Sequence, residues 1–392
     1  MSSAIAGRST NSSRRQGDGG KATVQLRVVH RYEDCAPLRD AWNDIVFRQS
    51  ADILQLDVTS TFEWAMVLWR KHLNQSEQNI VLLEEQGKVL GIFPLYRASK
   101  TVHAVGCASV APFTEIFSGR GGFLLDAPSP NHLRILLDYL YKDLPDWDVF
   151  VFTLVDGSPS SSLFFELQKS QRFPIEQIGY ITTPYIMLEG TWPDYFASLP
   201  KKFRWNLRNA EKKMKAQGDV RYREFGPGSD LDYFAQAMLG IEKESWKEST
   251  GTSLTASHLQ ESFHTDLLEV VAGNGWFWGH LLELNGEPVA YVNGLKFNNV
   301  FCDLKESYKS KYKELSPGHV LKTFVMERMY ASKVNFYDYM GLCEDYKMRW
   351  TDKTYSQSTY ILYNKTLRAT AARMAAPLAK LVERSGEFHG SR

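Results

Sequence analysis

The sequence predicts an α/β protein of mixed sheets with flanking helices. Three observations carry that reading. Strand-like and helix-like segments alternate along the chain. A strand, glycine turn, strand pattern at residues 82–95 reappears at 281–295. The 392 residues, 43% of them hydrophobic, suffice for two domains with separate cores.

"VQLRVV" (Val24 to Val29) predicts a short strand, and "LRDAWNDIVFR" and "TFEWAMVLWRKH" space their apolar residues three and four apart, as helices do. "NIVLLEEQGKVLGIFPLYRASK" predicts a hairpin turning at Gln86-Gly87. "DVFVFTLV" (Asp148 to Val155) predicts a strand, and "SSLFFELQKS" a helix. Laying "LLEEQGKVLGIFPL" (Leu82 to Leu95) on "LLELNGEPVAYVNGL" (Leu281 to Leu295) sets Gly87 on Gly286 and Gly91 on Ala290. A hairpin this ordinary recurs by chance; read as a repeat, it means two copies of one α/β unit joined near residue 190.

At the join, "LPKKFRWNLRNAEKKMKAQG" places Phe203, Leu207, Ala210 and Met214 on one helical stripe. Lys201, Arg204, Arg208, Lys212 and Lys215 form another, with Gly218 as the stop. The plain reading is a solvated face over a buried one. The functional reading is an anion-facing ridge on which Trp205 stacks against a base or sugar. Further on, "NNVFCDLKESY" (Asn298 to Tyr308) predicts a strand, and "HVLKTFVMERMY" a helix with Val320, Leu321, Phe324, Val325 and Met329 inward. Ser316 then falls at the N-cap, Pro317 at the first helical position and Gly318 next. The amides of Gly318, His319 and Val320 are expected to lack intrahelical partners, as suits a phosphate; plain capping is the alternative. "VNFYDYMG" (Val334 to Gly341) predicts the next strand, and "EDYKMRW" a loop.

Composition narrows the classes. A net charge of +1 gives no overall bias toward nucleic acid or anionic membrane, so a charged partner has to meet a local patch. Cys35, Cys107, Cys302 and Cys343 lie far apart without zinc or redox spacing and read as reduced thiols of a cytoplasmic protein. No run of eighteen apolar residues occurs, and the Ser-, Arg- and Gly-rich residues 1–22 read as a disordered tail rather than a signal or transit peptide. Residues 366–392 read as a C-terminal tail or short Ala-rich helix. Neither a Ser-His-Asp order, nor a metal-ligand cluster, nor a Walker loop supports a hydrolase, metalloenzyme or NTPase.

Several segments resemble the CelD/FemAB-related branch of the GNAT acyltransferase superfamily. They are Pro184-Tyr185, Ser198-Leu199, Arg204 and Arg208 on the basic helix, "ESWKESTG" (Glu244 to Gly251), Ser316 to Gly318, Asp338 and Gly341, then Tyr346, Lys347 and Trp350. The likeness runs from about residue 25 to 365. It implies a tandem of GNAT-like units, 23–190 and 191–365, the second holding the active cleft. It also implies an acyl-CoA-dependent N-acyltransferase, with acetyl-CoA or a longer acyl-CoA as donor and an amine of a sugar, polysaccharide precursor or small metabolite as acceptor. The branch's rival chemistry takes aminoacyl-tRNA, and a non-catalytic anion-binding protein on the same fold is a third reading. This chain departs from ordinary members at the phosphate turn. It has Leu315-Ser316-Pro317-Gly318-His319 in place of Arg/Gln-x-x-Gly-x-Gly/Ala, and its proline removes an amide donor.

Attack by an amine needs a base for its proton and a donor for the leaving group. The expected catalytic residues are Asp338 first, then Glu306 as base and Tyr308 as donor. Leu315, Ser316, Gly318 and His319 are expected at the acyl-CoA phosphates. Arg204, Arg208, Trp246, Glu344, Tyr346 and Lys347 are expected at the acceptor.

Overall fold

The computed structural model describes residues 24–50, 52–72, 78–115, 120–171 and 173–387; the tail expected at 1–22 lies outside these. The first half runs β1 (Gln25–Val29), α1 (Arg39–Gln49), α2 (Phe62–His72), β2 (Gln78–Glu85), β3 (Lys88–Val102), β4 (Val105–Pro112), β5 (Leu124–Leu125), α3 (Pro130–Lys142), β6 (Val149–Val155), α4 (Pro159–Gln171) and β7 (Ile175–Met187). The second half runs α5 (Trp192–Ser198), α6 (Lys201–Lys215), β8 (Val220–Phe225), α7 (Leu231–Lys243), α8 (Trp246–Ser249), α9 (His258–Gly273), β9 (Phe277–Leu284), β10 (Glu287–Phe297), β11 (Val300–Tyr308), α10 (Pro317–Tyr330), β12 (Phe336–Asp338), α11 (Asp345–Met348), β13 (Thr354–Tyr363) and α12 (Leu367–Glu387).

The strands form one mixed sheet, ordered β1-β2-β3-β4-β6-β13-β7-β12-β11-β10-β9-β8, with β5 on β3. Of the neighbouring pairs, β4 with β6 and β11 with β12 are parallel. The halves meet in the middle of this sheet. β7 pairs with β13 through Pro184 and with β12 from Tyr185 onward, so one long strand belongs to both. The last strand, β13, returns to fill the gap between β6 and β7.

The two hairpins of the suspected repeat have the same turn. Gln86 and Gly87 sit at φ 51° and 80°, Asn285 and Gly286 at 53° and 82°, the left-handed pair that lets a two-residue hairpin follow the strand twist. Each hairpin also slips register next to its turn, at Leu83/Glu84 and at Pro288/Ala290.

Local pattern dictated the basic helix: α6 buries Phe203, Leu207, Ala210 and Met214 against α10 and the second half's sheet, and leaves Trp205 63% exposed among its cations. Elsewhere packing overrode the sequence reading. "EDYKMRW" carries the helical turn α11 with Lys347 buried, and only Phe336–Asp338 of "VNFYDYMG" is strand. Phe324 is half-buried, stacked on Tyr222 at 5.3 Å, while Lys322 and Met326 take the inward face of α10. A core joins the halves, with Trp42 and Trp64 of α1 and α2 packed into the same cluster as Phe234 and Phe263 of α7 and α9.

Candidate active site

The site grows from an irregularity in β11. Asn293 of β10 faces Lys305 while Gly294 faces Asp303, so Leu304 is an extra residue without a partner. Such a bulge locally re-aims the side chains around it. Beyond it, Asp303, Leu304, Lys305 and Glu306 all reach the wall of one cavity.

Two cavities adjoin there. One, of about 430 Å³, runs from Trp246 and Tyr308 to the start of α10 at Ser316, Gly318 and His319. The other, of about 360 Å³, lies toward Thr252, Gly341, Glu344 and Lys347. Trp246, Lys247, Glu306 and Tyr346 line both, forming the wall between them.

Glu306 is anchored from behind. Its Oε2 lies 2.6 Å from Lys322 Nζ, and the same ammonium lies 2.7 Å from Asp303 Oδ2. Lys322 and Asp303 side chains are each 3% exposed. Tyr337 OH donates to Asp303 at 2.5 Å and also contacts the Lys322 ammonium. Burial works against ionising Glu306, but Lys322, backed by Lys347 and Lys247, outweighs it and holds the carboxyl below its ordinary range. Asp303 goes the other way: burial and then the Glu306 charge push it up, against the pull of Lys322. Lys322 is held charged by the two carboxylates despite its burial. The second Glu306 oxygen, Oε1, is buried without a hydrogen bond of good geometry, and the Tyr346 phenol lies close enough to interact with the carboxylate. An ionised carboxylate with one oxygen fixed and the other without a well-aligned partner can accept a proton from a group in either cavity.

The start of α10 differs from expectation. Pro317 is the first helical residue, but Ser316 is left-handed at φ 53° and its side chain caps nothing. In that conformation its carbonyl accepts both the His319 amide at 3.0 Å and the Val320 amide at 3.2 Å. Gly318 alone of the three amides lacks an acceptor. A Cβ at Gly318 would meet only Tyr308 Cδ1 at 3.5 Å, so the glycine leaves the cavity floor open. The cations near the α10 end of this cavity are side chains, Lys313 and Arg349, with Lys247 and Lys322 on its Glu306 side; His319 is pushed down in pKa by burial and then by Arg349.

The structure therefore brings together Glu306, Tyr308, Ser316, Gly318, His319, Trp246 and Tyr346 at the first cavity, and Glu344 and Lys347 at the second. Lys347 lies 2.9 Å from Glu344 and donates to the Leu342 carbonyl at 3.2 Å. Burial raises Tyr308, and burial followed by the Glu306 charge raises Tyr346, so both phenols stay protonated as donors.

It does not bring Asp338, Leu315, Arg204 or Arg208 to either wall. Asp338 is fully buried, accepting from the Met340 amide at 2.9 Å and from Tyr355 OH at 3.1 Å, with Arg120 at 3.6 Å. Burial raises its pKa to about 6, with Arg120 opposing. Arg204 donates to the Ala197 and Leu199 carbonyls that end α5, and Arg208 lies 5.1 Å over the Phe196 ring. The sequence reading missed Lys322, Asp303 and Lys247. The available signal was a lysine among inward positions of α10 and an aspartate in the apolar run "VFCDL".

With this geometry in view, residues 201–348 match the family described as an acetyltransferase (GNAT) domain. The chain is a mixed α/β fold whose second half matches this GNAT domain, and the match supports an acyltransferase. Among solved structures, FemX superposes with a TM-score of 0.55 at 14% identity, covering 91% of this chain and 100% of that one. The C-terminal domain of a putative lysylphosphatidylglycerol synthetase from Agrobacterium fabrum gives 0.51 at 10% identity, covering 88% and 96%. L-PGS from Bacillus licheniformis gives 0.50 at 10%, covering 86% and 96%. Identities this low speak for the fold alone. No curated protein matches the sequence. Among the described residues no helix is long and apolar enough to cross a membrane.

Proposed function

We propose that the protein is an acyl-CoA-dependent N-acyltransferase of the CelD-like branch. It transfers an acetyl or longer acyl group to an amine of a sugar, polysaccharide precursor or small metabolite. The two units of the proposal are residues 23–190 and 191–365, with the reaction in the second. The observation that carries it is Glu306: a carboxylate held ionised by Lys322, with the Tyr346 phenol beside it and no well-aligned partner on Oε1, in the wall shared by two cavities.

The donor occupies the cavity below α10, its phosphates toward Lys313, Arg349 and the Gly318 amide, its thioester toward Tyr308 and Glu306. The acceptor enters from the cavity beyond. Glu306 Oε1 takes a proton from the amine, and the nitrogen attacks the thioester carbon. The carbon–sulfur bond then breaks, and the thiolate receives a proton from Tyr308, which solvent restores. Lys247, lining both cavities, supplies positive charge beside the carbonyl oxygen as it becomes anionic. Asp338 keeps the expectation of a catalytic role only through its hold on the Met340 turn.

An aminoacyl-tRNA donor is the second reading, favoured by one observation. The α10 turn offers a single free amide, while the cationic helix α6 packs directly on α10 and on the 310–315 turn beside the cavity. Titration of the full chain with acetyl-CoA and with longer acyl-CoAs decides between them. Saturable binding by one of these supports the first reading; an intact fold that binds none sinks it.

A further inference from the structure

A third, smaller cavity of about 210 Å³ continues from the acceptor chamber, sharing Leu304, Lys305 and Met340 with it. Its far wall comes from the other half of the chain, Thr59 and Trp64, with Phe263 and His264 of α9 between. Two donors on this cavity, one buried and one half-buried, lack the partner their chemistry asks for. Trp64 is 3% exposed, and its indole Nε1–H has no acceptor. Lys305 donates to the Thr252 carbonyl at 3.3 Å, but among the described residues no carboxylate lies within ion-pairing distance of it. Burial, reinforced by Lys247, lowers the Lys305 pKa against the weaker pull of Glu242 and Glu344.

A half-buried ammonium without an ion pair is poorly compensated, and an orphaned buried N–H is costly. One ligand group answers both. We infer that this cavity holds the carboxylate of the acceptor, so that the acceptor class is an amine that also carries a carboxylate, gripped by Lys305 and Trp64 while its amino group reaches Glu306. The inference rests on the acyl-transfer reading for the role of Glu306, but not for the carboxylate site itself.

The wall is rigid enough for such selectivity. Asp57 accepts from the Thr59 amide at 2.8 Å and the Arg120 amide at 2.7 Å, fixing the turn that leads into α2 and Trp64. Lys305 is fixed from the other side by the β11 bulge. A neutral amide in place of the carboxylate would leave the ammonium uncompensated, which is the physical basis for discrimination.

The test is an equilibrium titration of the full chain, without acyl donor, using glycylglycine, γ-aminobutyrate and ε-aminohexanoate, each against its C-terminal amide. At least one carboxylate is expected to bind about tenfold more tightly than its amide, a difference of about 1.4 kcal/mol. Lys305→Met is expected to abolish that preference, and Trp64→Phe, which keeps the ring packing on Phe263, to reduce it. Thermal unfolding of both variants checks that they fold. Equal binding of acids and amides by the natural chain, binding of none, or an unchanged preference in folded Lys305→Met overturns the inference. Because no acyl donor is present, a preference with no transferase rate would instead count against the acyl-transfer reading.

Discussion

Lys322→Met is the perturbation whose consequence follows most directly from the structure. The ammonium sits 2.7 Å from Asp303 and 2.6 Å from Glu306, inside a helix face otherwise packed with Val325, Met326 and Met329. Methionine fills similar volume, so the change removes charge with little loss of packing. Two buried carboxylates are left facing each other without a counter-ion. Breaking a buried pair in this way costs about 3–5 kcal/mol. At about 2.1 cal/mol/K per residue, the 392 residues give an unfolding entropy of about 0.8 kcal/mol/K, so the midpoint should fall by roughly 4–6 °C.

The pH dependence has a definite sign. In the natural chain Glu306 is held below its ordinary pKa, so its contribution is present at neutral pH and is lost as pH falls through the folded value. Without Lys322 both carboxyls rise above their unfolded values, and the folded variant takes up protons that the unfolded chain does not. Its deficit should therefore shrink as pH falls from 7 toward 5. Calorimetric unfolding of both chains at the two pH values is the assay. A midpoint within a degree or two of the natural chain at pH 7, or a deficit that widens toward pH 5, would refute the account of this cluster.

Further expectations concern binding and rate. Gly318→Leu should fold, since its Cβ meets only Tyr308, at 3.5 Å, the rest of the side chain has the cavity to enter, and leucine favours helix by about 1 kcal/mol over glycine. Its acyl-CoA affinity should nonetheless drop at least about tenfold as the cavity floor fills, and an unaltered dissociation constant would place the donor elsewhere. Asp338→Asn, if folded, should keep kcat within about threefold, because the carboxyl lines neither cavity; a loss of about 100-fold without a change in unfolding midpoint would restore it to the chemistry. Arg204→Ala should cost about 1–2 kcal/mol of stability through the lost bonds to the α5 carbonyls, with acceptor KM unchanged in the folded fraction. A raised KM at unchanged stability would return Arg204 to substrate binding.

What was legible in the sequence was what local periodicity encodes. The α6 stripes, the two glycine hairpins and the Pro317 start of α10 each depend on residues within a turn or two of one another. The site depended on distant pairings. Asp338 sits in a strand among Phe336, Tyr337 and Tyr339, and alternation alone cannot say which face it takes. Arg120, more than two hundred residues earlier, determines that it faces a buried ion network. Glu306 was legible as a candidate, but its anchoring by Lys322 was not, because Lys322 lies in a helix whose other inward positions are apolar. The bulge at Leu304 is set by how β11 pairs with β10 at Asn293 and Gly294, which the sequence of β11 alone does not reveal. The left-handed Ser316 likewise took two amides away from the anion that the Ser-Pro-Gly turn suggested.

The central claim is that Glu306 Oε1 receives the amine proton. The most direct measurement is the single-turnover rate of Glu306→Gln with saturating acyl donor and amine, followed from pH 6 to 10. The amide keeps the shape of the side chain and a contact to Lys322 but cannot take a proton. The rate should fall by about 100-fold or more near neutral pH, a loss that narrows as rising pH deprotonates the amine in solution. A variant that retains the natural rate and pH profile, with donor affinity intact, would contradict the claim.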